Sequence, residues 1–398
     1  MSVYLIATLD TKGPEAEFLR KRLVESGLAV EVIDVSCSQR PGERGQAVTE
    51  AATDATKIIS AAFAAGQVEG IIAIGGSAGT TIGTAAMRAL PIGVPKLMVS
   101  TLASGQVRPW VGDKDILMLN SVVDFAGINR VSRQVLSEAA AAMVGMVKFS
   151  AASNAQSQIP NLHSDRPLIA ATMFGVTTPC VQQARKVLEA AGYEVIVFHA
   201  TGNGGQAMES LIREGMFAGV LDITTTELAD ELVGGILSAG PTRLTAAAET
   251  GIPQVVSVGA LDMVNFGPRE TVPGKFAGRK FHVHNASVTL MRTTPEENQN
   301  LGKEICRKLV EAKAPTALYL PLQGLSAIDR EGQAFDDPAA RAALYNAIRF
   351  ARPANVELVE LDCHINDETF AEAAAKKLLA MIAAGSHAEA RRTRRTRS

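Results

Sequence analysis

The sequence predicts an α/β fold made of two Rossmann-like subdomains, each with a mainly parallel sheet and helices on both faces. Three observations carry this. Short apolar runs alternate with longer stretches of helical period, the signature of βαβ units. The chain has 398 residues, more than the roughly 250 to 300 that one hydrophobic core accommodates. Finally, the pattern of the first half restarts near residue 167.

The first half reads strand VYLIATL (3–9), a helix led by Pro14 and stopped by Gly27, strand VEVIDVS (30–36), and an alanine-rich helix over about 47–65. Pro14 fits a first helical turn, where its missing N–H costs nothing. Strands GIIAIGG (70–76), PKLMVST (95–101) and DILMLN (115–120) follow, then a helix from about 127 to 148. Residues 150–166 are polar and without apolar period, which predicts a linker or crossing loop.

In the second half, residues 167–200 lay over 4–36, GVLDITTTELADELVGG (219–235) over GIIAIGGSAGTTIGTAA (70–86), and GIPQVVSVGALD (251–262) over GVPKLMVSTLAS (93–104). The repeat predicts an internal duplication. ALYLPLQG (317–324) and NVELVEL (355–361) supply late strands, and ETFAEAAAKKLLAMIAA (368–384) an amphipathic last helix. The expected domains are 1–165 and 166–390, followed by a solvated, frayed basic tail, RRTRRTRS, at 391–398.

A formal net charge of −2 gives no global field toward nucleic acid or an anionic membrane. Cys37, Cys180, Cys306 and Cys363 are scattered without CxxC spacing, which favours a reducing compartment. The start lacks a basic n-region and reads as a first strand rather than a signal peptide. No stretch reaches the ~18 apolar residues of a membrane span. The expectation is a cytoplasmic protein without nucleic-acid or membrane partners.

Ligands of an open parallel sheet bind at the carboxyl ends of its strands, and polar, glycine-rich loops stand there. GGSAGTTIG (75–83) runs from strand to helix. Its Gly75, Gly76, Ser77, Gly79 and Thr80 suit an anion, since glycines permit close backbone approach and a helix start offers free amides. The alternative is a tight turn with hydroxyl capping. No lysine follows, so this is not a Walker loop, and it follows the third strand, not the first as a dinucleotide fingerprint would.

In the first loop, TLDTKG, the pair Asp10 and Lys12 with Thr11 suits magnesium or ribose on one side and phosphate on the other. Alternatively, Asp10 caps the helix and Lys12 is solvated. HATGNGGQAMESL (199–211) offers Thr201, Gly202, Gly204 and Gly205 to a second anion, or is a flexible turn, and TTTELADE adds Glu227. His282 and His284 share a strand face, but no third ligand accompanies them, and no metal site is expected. His364 follows a strand end, with Asp367 placed to cap the last helix.

TLDTKG, GGSAGT, TGNGGQAM, TTTELADE, VVSVGALDMVNFG, HNASVTLMRTTPEEN and CHIND, in this order from about residue 3 to 385, resemble the ATP-binding domain family named after the tomato mosaic virus resistance protein. The resemblance implies two Rossmann-like subdomains, ATP binding and a homodimer. It places the nucleotide on Asp10, Thr11 and Lys12 and on Gly75, Gly76, Ser77, Gly79 and Thr80. The family often has glycine where this chain has Ala78. The expected function is binding of ATP, with magnesium, acting on a small metabolite between the two subdomains. Thr201, Gly202, Gly204, Gly205, Glu227, Asp262, Asn265, His284 and Asn285 are the candidate metabolite contacts. The alternative is a non-catalytic, ATP-responsive binding or regulatory module.

Overall fold

Along the first strand, Val3, Leu5 and Ala7 face one way and Tyr4 and Ile6 the other, and all five are buried. A strand buried on both faces needs a layer on each. The computed structural model, which describes residues 1–38, 43–155 and 166–395, supplies those layers. The chain divides into two units, Met1–His163 and Ser164–Ser398.

The first unit runs β1 (Ser2–Ala7), α1 (Leu9–Glu25), β2 (Val30–Asp34), α2 (Arg44–Ala64), β3 (Val68–Gly75), α3 (Ser77–Arg88), β4 (Lys96–Ser100), α4 (Arg108–Val111), β5 (Leu117–Asn120) and α5 (Arg130–Ala155). Its five strands are parallel in the order β2-β1-β3-β4-β5. One core joins Val3, Leu5, Leu19, Leu23, Leu136 and Met143, and the other joins Tyr4, Ile6, Ala55, Ile59, Ile82 and Met87. Helices α1 and α5 therefore cover one face, and α2 and α3 the other.

The second unit continues with β6 (Leu168–Met173), α6 (Thr178–Ala190), β7 (Glu194–His199), α7 (Asn203–Arg213), β8 (Phe217–Thr224), α8 (Glu227–Val233), α9 (Ala246–Thr250) and β9 (Gln254–Gly259). Next come β10 (Met263–Phe266), β11 (Phe281–Asn285), β12 (Val288–Arg292), α10 (Pro295–Leu309), β13 (Thr316–Pro321), α11 (Pro338–Ala351), β14 (Val356–Leu361) and α12 (Glu368–Arg395). Six parallel strands lie in the order β14-β13-β9-β8-β6-β7, and β10-β12-β11 form a small antiparallel sheet.

The repeat read in the sequence is present in the sheet registers. Val3 lies opposite Val30 and Gly70, and Ile169 opposite Val195 and Gly219. Both ladders slip at the same step, just before Val3 and just before Ile169. Val3 thus corresponds to Ile169, which moves the first-strand alignment by a few residues from the one the sequence suggests.

Two boundaries differ from expectation. Helix α5 continues to Ala155, and α12 continues through part of the expected tail to Arg395, because alanine, glutamate and arginine are strong helix formers. Residues 156–165 of the expected linker and 396–398 of the tail lie outside the described residues.

Helix α3 packs so closely on its sheet that a Cβ at Gly83 would stand 2.5 Å from the Cβ of Ala73. Gly83→Ala should therefore destabilise the protein by about 1–3 kcal/mol through overpacking. Urea unfolding measures this, and an unchanged midpoint would contradict the packing described.

Candidate functional site

The first turn of α1 is set apart from the helix body by a kink at Lys12 (φ −127°, ψ 19°), two residues before Pro14. The amides of Thr11 and Lys12 both donate to the Thr8 carbonyl, at 3.2 and 2.8 Å. Neighbouring amides are satisfied from β2: Leu9 N–H donates to Asp34 Oδ1 at 3.1 Å and Asp10 N–H to Ser36 Oγ at 3.1 Å. The turn leaves the Asp10 carboxylate at the edge of the sheet. Hydrogen bonding from Ser38, with smaller help from Ser36 and Thr11 against slight desolvation, holds this carboxyl below its ordinary range. Lys12 Nζ donates to the Phe125 carbonyl, tying the turn to the segment after β5.

Helix α3 opens directly after β3, with Gly76 as N-cap and no side chain capping it. Among the described residues, the amides of Ser77, Ala78 and Gly79 have no acceptor, the condition in which a helix start accepts an anion. The glycines divide the work differently from the sequence expectation. A Cβ on Gly75 would stand 2.8 Å from Gly79 Cα, and one on Gly79 3.0 Å from the Ile74 carbonyl oxygen. These two glycines seat the helix on the strand. Gly76 alone has open space, its nearest neighbour being Thr101 Oγ1 at 3.7 Å. Thr80 also departs from expectation: it is fully buried, its hydroxyl bonded to Gly76 O and Ser100 Oγ, each at 2.7 Å, so it is spent internally.

Asp10, Thr11, Lys12, Gly76, Ser77 and Gly79 line one cleft of about 610 Å³ at the carboxyl edge of the first sheet. Gly75 and Thr80 lie behind it. Thr8, Ala47, Val48 and Ala78 also line it, and Cys37, Ser38, Arg44 and Asp124, which complete the lining, were missed by the sequence reading. Their signal was present, since Cys37 and Ser38 follow β2 at the same sheet edge, but those loops contain no glycine run to draw attention. Two cations and two carboxylates thus share the cleft.

In the second unit the loop after β7, the counterpart of the one after β2, is filled from within. The Gly202 and Gly205 amides donate to Glu227 Oε1 at 2.7 and 3.1 Å, so the backbone donors expected to hold a ligand already hold a side chain. A Cβ on Gly205 would stand 2.2 Å from Glu227 Oε2, and one on Gly204 1.9 Å from the His199 carbonyl oxygen, which is why both are glycine. Glu227 pairs in turn with Arg243, whose Nε donates to Oε2 at 2.7 Å. Arg243, fully buried, also forms a fork onto Asp222 at 2.5 and 2.7 Å and reaches Glu209 at 3.4 Å. Burial pushes the Glu227 carboxyl up, while Arg243 pulls it down. Glu209 accepts three amides at the start of α9, from Leu244, Thr245 and Ala246.

Asp262, Asn265, His284 and Asn285 are not brought to a common surface. Asp262 and Asn265 are at most 1% exposed, whereas His284 and Asn285 are exposed on the β11–β12 hairpin, where Asn285 Oδ1 accepts the Ser287 amide within the turn. Asn265 donates to Asp230 at 2.6 Å. Asp262 accepts the Ser326 hydroxyl at 2.8 Å, and its other oxygen has no partner among the described residues. Both ring nitrogens of the buried His364 are engaged, Nε2 with the Ser326 carbonyl at 2.9 Å and Nδ1 with the Asn366 amide at 3.1 Å. Among the described residues no group of three or more metal-ligating side chains is found, and no helix is long and apolar enough to cross a membrane.

These features define a two-unit α/β protein with parallel sheets, an open charged cleft in one unit and an internally filled loop in the other. It belongs to the uncharacterised protein family UPF0261, whose N-terminal domain matches residues 1–43 and 37–152 and whose C-terminal domain matches 166–382. A UPF0261 protein of Clostridium tetani is 50% identical, covering 96% of this chain and 98% of the relative. The ToMV resistance protein Tm-1 of Solanum lycopersicum is 40% identical over 97% of this chain, which spans 56% of the plant protein. Among solved structures, a UDP-GlcNAc 2-epimerase from Neisseria meningitidis aligns at TM-score 0.22 and 10% identity, covering 64% of this chain and 82% of that one, a likeness too loose to carry an argument.

Arg243→Met would strand buried carboxylates without their cation and should cost about 3–5 kcal/mol; a urea midpoint equal to that of the parent would contradict the network described. A second outcome concerns pH. Burial raises the Asp262 carboxyl, with the Asp329 charge adding to it. The folded state therefore keeps a proton that the unfolded chain, with a value of about 3.9, releases earlier. Stability is full below that value and is lost as pH rises toward neutrality. Asp262→Asn should flatten this decline in urea midpoints between about pH 5 and 7, and an unchanged slope would contradict it.

Proposed function

We propose that the first unit binds ATP as its magnesium complex, and that the protein uses this nucleotide on a small metabolite. The observation that carries the reading is the charge arrangement of the cleft. The free amides of α3, Lys12 and Arg44 favour phosphate, while Asp10 and Asp124 stand beside them. Two carboxylates next to a phosphate repel it unless a cation lies between, and magnesium is bound in this way, by one or two carboxylates together with substrate phosphates. Because Asp10 is held below the usual carboxylate range, it is charged at neutral pH. Cys37, Ala47 and Val48 offer the cleft's less polar side to a base. The family resemblance to ATP-binding domains supports the same ligand, with a homodimer as the proposed assembly.

The metabolite is assigned to the first cleft rather than to Gly202 and Gly205, whose amides are filled by Glu227. Calorimetry with ATP, with and without magnesium, tests the binding. Binding should require magnesium, and Lys12→Ala and Arg44→Ala should each weaken it tenfold or more. ATP at 100 times its dissociation constant should stabilise the fold by about 2.7 kcal/mol. Absence of binding heat and of any thermal shift would refute the reading. ADP release across a metabolite panel separates an enzyme from a module that only binds.

A further inference from the structure

We infer that Glu227 is a built-in ligand: its carboxylate fills, in the second unit, an anion position that the first unit leaves open to an external phosphate, between the Cys37 amide and Ala78. The inference rests on the nucleotide reading for the identity of the anion, but its location comes from the repeat.

The registers fix which strand residues correspond, and the loops are matched by counting on from them. Val30 matches Val195, since each lies opposite the matched pair Val3 and Ile169. The link continues past the strand ends, where Val35 N–H donates to Ala7 O at 3.0 Å and Ala200 N–H to Met173 O at 2.8 Å. Two residues further, Cys37 matches Gly202. Gly70 and Gly219 match in the same way, and counting along the chain from this pair sets Asp222 against Ala73 and Glu227 against Ala78, past an irregularity of the β8–β9 ladder between Asp222 and Thr224; Ala78 and Glu227 both stand in the first turn of their helices.

In the second unit these positions close on one another. Glu227 takes the Gly202 amide and is neutralised by Arg243, itself fixed by Asp222. In the first unit each part of this arrangement is altered toward an open site. The methyl of Ala78 is too short to reach across. Cys37, Ser38 and Ala78 all line the cleft, and among the described residues the Cys37 amide has no acceptor. Ala73 leaves no buried acid to fix an arginine, and Lys12 and Arg44 bring positive charge from other positions. An oxyanion placed between Cys37 and Ala78 would meet the α3 amides on one side and the Cys37 amide on the other. In the other unit the Glu227 side chain spans the matching positions, from the start of α8 to the Gly202 amide.

The test installs the same carboxylate in the first unit. Ala78→Glu places an acid in the first turn of a helix, where the dipole favours it, so the fold is not put at risk. In the full chain, inorganic pyrophosphate and MgATP are titrated into parent and variant. The inference expects the parent to bind pyrophosphate and Ala78→Glu to lose tenfold or more in affinity for both ligands. Parent that binds MgATP, with an Ala78→Glu variant binding it equally well, overturns the inference while the nucleotide reading stands. Parent that binds pyrophosphate but not ATP, with loss in Ala78→Glu, supports the inference and removes the nucleotide reading. Parent that binds no pyrophosphate overturns the inference.

A second arm is independent of nucleotide. Glu227→Ala vacates the second-unit position, and sodium acetate should raise the melting temperature of this variant above its value in equal sodium chloride, with no such difference in the parent. If the variant folds only in acetate, recovery of folded protein in that buffer is the supporting readout; indifference to acetate overturns the inference.

Discussion

A helix that begins after a parallel strand leaves its first amides without partners, and the two units differ in how such amides at the sheet edge find an acceptor. In the second unit the start of α7 receives one from within, as the Glu227 carboxylate on Gly202 and Gly205. In the first unit the start of α3 has a glycine cap, no capping side chain and a cleft in front of it. One architecture thus carries a closed site and an open one.

The closed site explains why the second unit tolerates so many buried charges. Taking a carboxylate from water is costly unless it is paired and hydrogen-bonded. Arg243 faces Asp222, Glu227 and Glu209 at once, and the remaining lone pairs accept backbone amides of two loops. The network therefore locks the β7–α7 loop and the start of α9 to the end of β8. Its worth lies in fixing one arrangement of loops, since a well-packed apolar set could match it in energy.

The architecture was readable in the sequence because it rests on local signals. Apolar runs such as GIIAIGG and GVLDIT mark buried strands, and Pro14 and Gly27 punctuate the first helix. The duplication was visible in the recurring Gly-Val/Ile-Pro entry to β4 and β9, although only the ladders fixed the equivalence of Val3 and Ile169. The small antiparallel sheet escaped notice, since of its strands only FHVHN stood out, and β10 joins β12 from far back in the chain. Six of the eight residues proposed for the first site line one cleft, while Gly75 and Thr80 are used for packing. The second set was less legible. Glu227, Asp262 and Asn265 carry the residue types of a binding site, yet whether a polar side chain faces a ligand or the core depends on tertiary partners such as Arg243, Ser326 and Asp230, far away in sequence.

The most direct measurement is a crystal structure of the full chain soaked with ATP and magnesium. The account predicts phosphate oxygens within about 2.7–3.2 Å of the Ser77 and Ala78 amides, with the Gly202 and Gly205 amides still held by Glu227. Nucleotide bound at the second-unit loop, or a first cleft that stays empty at saturating ligand, would contradict it.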